Sequence, residues 1–141
     1  MYCTLDDLLD RVSEDILVDI TTDGGIDATT IDQNKVNKAI EDVSALIDSF
    51  AQKKYQVPFS PVPRVIKKIA VDLVLYELFA SRGIDEERDQ HIIRSQKTAM
   101  SLLDKIASGA LTIGIPSPPP DNGLRVESQK RVFSRESLSD F

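Results

Sequence analysis

Residues Gln33 to Lys54 read QNKVNKAIEDVSALIDSFAQKK and have the strongest periodic pattern in the chain. Its apolar side chains recur at helical spacing: Val36, Ala39, Ile40, Val43, Leu46, Ile47 and Phe50. Because an α-helix has about 3.6 residues per turn, these side chains form one stripe along about four turns. The stretch therefore predicts a long amphipathic helix that buries one face. Asp32 is its expected N-cap, and Lys53 and Lys54 are expected in its last turn, where positive charge is favoured.

A second long helix is predicted over residues 63–82. It follows the connector Tyr55 to Pro63, in which three prolines should hold the chain extended. From Ile69 to Ala80 the helix is apolar nearly all round, interrupted by Asp72 and Glu77. A helix without a broad polar face is buried on most sides, so we expect this one at the centre of the protein.

The remaining apolar patterns predict two short helices, a further long helix and a possible short strand. Two short helices are predicted at about 4–11 and 14–20, and a further long helix at about 85–107 begins with three acidic residues. Residues 111–115 alternate and permit a single edge strand. The predicted class is all-α: a small helical bundle with two or three long helices, short N-terminal helices and an extended C-terminal arm.

The chain beyond residue 114 has a different composition. Four prolines lie close together at its start: Pro116, Pro118, Pro119 and Pro120. Proline lacks an N–H donor and cannot continue a helix or a central strand, so these residues are expected to form a stiff spacer. Large apolar side chains stand among charges at its end: Phe133, Arg135, Leu138 and Phe141. We predict a helical domain over 1–114 and an arm with a docking end over 115–141; the alternative is a terminus without a binding role.

The net charge limits the classes of partner. The 141 residues contain 17 Lys and Arg against 23 Asp and Glu, a net charge of −6. The arm has four acidic and four basic residues, so the whole −6 belongs to residues 1–114. Proteins that wrap nucleic acid need clustered Lys and Arg, whereas an acidic body suits DNA that passes without binding.

The cysteine content and the hydropathy of the chain exclude further kinds of site and partner. Cys3 is the single cysteine, which excludes an intrachain disulfide and a cysteine-based zinc site, and a reducing cytoplasm is the expected compartment of synthesis. No apolar run reaches the roughly 18 residues of a membrane span, so no membrane partner is expected.

Signatures of catalysis are not found in the sequence. His91, the one histidine, lies on the polar half of a predicted helix and is interpreted as a surface residue. Four aspartates resemble a loose calcium loop: Asp19, Asp23, Asp27 and Asp32. The regular alternation and the final glutamate of such a loop are missing. With no phosphate-binding loop or nucleophile motif, we expect neither an enzyme nor a cofactor.

A small basic cluster, Arg64, Lys67 and Lys68, opens the predicted central helix. Its spacing places the three cations on one face, where they could contact phosphate or an acidic partner. The plainer interpretation is a solvated face, since Asp72 follows one turn after Lys68 and can pair with it.

An ordered set of motifs resembles the small neck proteins of Mu-like tailed phages and prophages. The segments that carry it are Tyr2 to Leu8, Val36 to Phe50, Lys54 to Pro63, Ile69 to Arg82 and Ala99 to Gly109. They cover about residues 2–114, and the set is specific although no single segment is. Cys3 and Phe50 depart from the pattern, since Ala and Tyr are common there.

The resemblance implies a head–tail connector, that is, a neck adaptor or head-completion protein. Such a subunit is all-α and joins a ring of roughly twelve copies beneath the portal, with genomic DNA passing through its centre. The likeness implies that the arm docks on the portal protein, for which Phe133, Arg135, Leu138 and Phe141 are suited. Further expected partners are neighbouring copies and a tail-proximal neck or tail terminator protein. The expected location is the virion neck, after synthesis in the host cytoplasm.

A second hypothesis stays open from the residues. The chain would then be a small helical regulatory or accessory binding module, with Arg64, Lys67 and Lys68 as its ligand or nucleic-acid site.

Overall fold

The computed structural model describes residues 1–22 and 29–114. Five α-helices follow in chain order: α1 Leu5–Leu9, α2 Glu14–Thr21, α3 Gln33–Ala51, α4 Arg64–Arg82 and α5 Gln90–Ser108. Within those two ranges no residue is in a β-strand. The predicted all-α bundle with long helices and short N-terminal ones is confirmed. The predicted division at residue 114 stays a prediction.

Helix α4 lies at the centre, as its apolar sequence predicts. It contacts each of the other four helices, and 10 of its 19 residues are buried. Ile66, Ile69 and Val74 are fully enclosed in a core that also takes most of the predicted stripe of α3: Val36, Ala39, Ile40, Val43 and Ile47. Of the two other predicted members, Phe50 is half-buried and Leu46 is 38% exposed, so the prediction that Leu46 is buried is wrong. The bundle exists because α1, α2, α3 and α5 each bury an apolar face on this one helix.

Two helix boundaries differ from the sequence prediction by three residues or more. Helix α3 ends at Ala51 rather than Lys54, because the carbonyl of Ala51 accepts from the N–H of Lys54 and of Tyr55 in a tight turn. Helix α5 begins at Gln90 rather than Asp85, because Oδ1 of Asp85 accepts from the N–H groups of Glu87 and Arg88 at 2.9 and 3.0 Å. A side chain that accepts hydrogen bonds from the N–H groups of the residues after it competes with helix formation at that position.

The connector between α3 and α4 is not extended. Turns and bends run from Gln52 to Pro61, and the peptide bonds before Pro58 and Pro61 are cis. The bends point Tyr55 and Phe59 inward, where both side chains are buried.

The first residues of the chain are part of the core, which the sequence did not predict. Tyr2 and Cys3 are buried, and the N–H of Tyr2 donates to Oγ of Ser44 on α3 at 3.2 Å. The phenol of Tyr2 donates to Asp48 on α3 and accepts from the N–H of Phe59 at 3.1 Å. Its ring packs on Phe59 with centroids 5.7 Å apart. The N-terminal segment thereby joins α3 to the connector.

The described chain ends against the body. Gly109 takes a left-handed conformation with φ of 82°, which glycine adopts without steric cost, and ends α5. The N–H of Leu111 donates to the carbonyl of Lys105 at 3.1 Å, and Leu111 and Ile113 pack on the core. The edge strand allowed by the sequence does not form over 111–114.

Residues 23–28 and 115–141 lie outside the described residues. The proline spacer, the four docking candidates of the arm, Asp23 and Asp27 are therefore not placed. In the described ranges, no helix has both the length and the apolar character needed to cross a membrane.

Candidate functional site: the charged face between α1 and α4

The centre of this face is a buried carboxylate on α4. Asp72 is 2% exposed, yet it faces the short N-terminal helices rather than the apolar core alone. Nη2 of Arg11, just after α1, lies 2.7 Å from its Oδ1, and Nζ of Lys68 lies 3.0 Å from its Oδ2. A buried charge is tolerated only when it is paired and hydrogen-bonded, and two cations meet that need for Asp72.

A second carboxylate on α1 takes another cation of α4. Oδ1 of Asp7 lies 2.8 Å from Nζ of Lys67, while its Oδ2 accepts from the N–H of Thr4 at 2.8 Å in the capping box of α1. Burial alone would raise the pKa of Asp7, but the hydrogen bonds from Lys67 and Thr4 outweigh it, so the pKa lies below its usual value. The hydrogen bond to Asp7 raises the pKa of Lys67.

These pairs neutralise most of the predicted basic cluster. The expected pair Lys68 to Asp72 is confirmed, and Lys67 binds Asp7. Across the described ranges, Arg64 is the member of the cluster to which the structure assigns no carboxylate. It lines a shallow cleft of about 240 Å³ together with the acidic side chains of Asp7 and Asp10. Binding of phosphate at the cluster stays a prediction, and the carboxylates beside it oppose an anion electrostatically.

Sequence reasoning found one part of this face and missed another. Lys68 and Asp72 are one helical turn apart, so their pairing is legible in the sequence. Asp7 lies on α1 and Arg11 just after it, 61 residues before Asp72, and no local pattern signals such a contact.

A further charged group fixes the turn between α4 and α5. The buried Asp89 accepts from Nε and Nη2 of Arg88 at 3.1 and 3.0 Å and from the N–H of Asp85 at 3.0 Å. The Arg88 hydrogen bonds, opposed by burial, hold the pKa of Asp89 below its usual value. This arrangement sets the position at which α5 begins.

The remaining predicted candidates occupy structural positions. His91 is exposed in the first turn of α5, as predicted. Asp19 pairs with Arg82, and Oδ1 of Asp32 caps α3 by accepting from Asn34 and Lys35. Burial, followed by the nearby charge of Asp7, raises the pKa of the Cys3 thiol to about 11, so it stays protonated at neutral pH.

The face is therefore built to hold helices together. Asp72 is paired with Arg11 and Lys68, and Asp7 is paired with Lys67. No group of three or more metal-ligating side chains occurs among residues 1–22 and 29–114. The sequence model of the family described as "Bacteriophage Mu, Gp36" matches residues 2–130.

The chain belongs to this family. The predicted resemblance to proteins of Mu-like phages and prophages is thereby confirmed at the level of the family. The match begins at Tyr2, the buried anchor of the N-terminus, spans the five described helices and continues beyond the described residues as far as residue 130.

Two relatives support membership in the Mu Gp36 family. The chain is 29% identical over 119 residues to the "Mu-like prophage FluMu protein gp36" of Haemophilus influenzae, covering 82% of this chain and 81% of the relative. It is 26% identical over 144 residues to "Gene product J" of Escherichia phage Mu, covering 96% and 95%. Membership in the Mu Gp36 family indicates a structural or morphogenetic phage protein and favours a non-enzymatic role.

Proposed function

We propose that this protein is a head–tail connector of a Mu-like phage or prophage. Copies of the chain form a ring, of roughly twelve subunits, at the neck of the virion. The arm docks on the portal protein, DNA passes through the centre of the ring, and a tail-proximal neck or tail terminator protein binds below.

The observation that carries the proposal is the contrast between the two parts of the chain. An acidic helical body with the whole net charge of −6 precedes a neutral segment whose end alternates apolar and charged residues. A ring surface with negative charge repels the phosphate backbone of DNA, because like charges repel each other. The DNA can then slide through the ring without binding to it. A neutral, partly apolar segment suits a protein partner better than DNA.

The root of the arm supports the same function. Leu111 and Ile113 pack on the core, so the segment that follows starts from a fixed point on the body. Arms that start from fixed points on a ring act together on one partner, and their joint binding exceeds that of a single arm through effective concentration.

Truncation of the arm tests the anchoring. We expect a chain ending at Leu124 to unfold at the same urea concentration as the full chain, because the helical body and its core precede the cut. Added to an extract of phage heads and tails that lacks the protein, it should fail to restore infectious particles, whereas the full chain restores them. Restoration at the full-length yield would overturn the anchoring role.

Point variants locate the docking end within the arm. Leu138→Ala with Phe141→Ala should reduce particle yield, whereas Leu124→Ala with Val126→Ala also truncates two apolar side chains, near the start of the arm, and should leave the yield unchanged. Equal yields from both pairs would place the contact elsewhere.

A further inference from the structure

We draw no further inference here: the strongest candidate, the shallow cleft between α1 and the first turns of α4 beside Arg64, belongs to the charged face already described, is lined by Asp7 and Asp10 as well as by cations, and nothing among residues 1–22 and 29–114 shows what covers it.

Discussion

Nη2 of Arg11 lies 2.7 Å from Oδ1 of Asp72, which joins the end of α1 to the central helix through a buried carboxylate. Lys68 neutralises the other oxygen at 3.0 Å. The charge of Asp72 is thus held by one cation from its own helix and one from the N-terminal region, so α1 docks at a definite position on α4.

We expect Asp72→Asn to lower the free energy of unfolding by about 1–3 kcal/mol, because the buried site loses its charge pairing with both cations. Urea denaturation measures this loss. The control is Asp104→Asn, an exposed aspartate of α5, which should change stability by less than about 0.5 kcal/mol. A double-mutant cycle with Arg11→Gln should give a coupling of about 0.5–3 kcal/mol, and additive effects would show that the pair contributes nothing.

Removing the phenol oxygen of Tyr2 should destabilise the protein. Tyr2→Phe keeps the ring contact with Phe59 but leaves the N–H of Phe59 and the carboxylate of Asp48 without this partner. We expect a loss of about 1–2 kcal/mol in urea denaturation. Tyr76→Phe, at a half-buried tyrosine for which the structure shows no hydrogen bond within the described residues, is the matched control and should be near neutral. An equal loss of stability in Tyr2→Phe and in Tyr76→Phe would contradict the role of the Tyr2 hydroxyl.

Stability should fall at alkaline pH. Burial, with the hydrogen bond to Asp48, raises the pKa of Tyr2 from 10.0 to about 12, and burial raises the pKa of Cys3 from 9.0 to about 11. The folded state holds both protons more tightly than the unfolded chain does. The resulting stability is fully present below pH 9.0 and is lost as the pH rises through 11 and 12. Unfolding followed by circular dichroism from pH 8 to 12 measures it.

Two substitutions separate the contributions of Cys3 and Tyr2 to this loss of stability at alkaline pH. Cys3→Ala should remove the part that begins near pH 9.0, and Tyr2→Phe the part that begins near pH 10.0. Alkaline unfolding curves that keep the wild-type shape in both variants would show that other groups control the transition.

Truncation of a buried side chain of α4 should cost far more than truncation of an exposed one of α3. Ile66 is fully buried, so Ile66→Ala should lower the unfolding free energy by about 2–5 kcal/mol, through lost burial and the cavity left behind. Leu46 is 38% exposed, and Leu46→Ala should cost less than about 1 kcal/mol. Similar costs at both positions would contradict the central place of α4.

Local patterns in the sequence predicted much of this molecule. The spacing from Val36 to Phe50 predicted α3 and its buried face, and the nearly all-apolar run from Ile69 to Ala80 predicted the central position of α4. Asp32 was legible as a helix cap, and Lys68 as a partner of Asp72. All of these depend on neighbours within one or two helical turns.

Helix ends were less predictable because side chains compete with the helix there. The three acidic residues that open the predicted last helix suggested its first turn, yet Asp85 binds the N–H groups of Glu87 and Arg88 and delays α5 to Gln90. The end of α3 was set by Tyr55, which turns into the core.

The all-α class, the central helix, the acidic charge of the body and the family to which the chain belongs can all be read from the amino-acid sequence. These properties follow from composition, from helical periodicity and from ordered motifs. The pairing of Asp7 with Lys67, the pairing of Arg11 with Asp72 and the burial of Tyr2 against α3 become visible only in the folded protein. The physical reason is separation along the chain: these contacts join residues more than 40 positions apart, and packing alone brings them together.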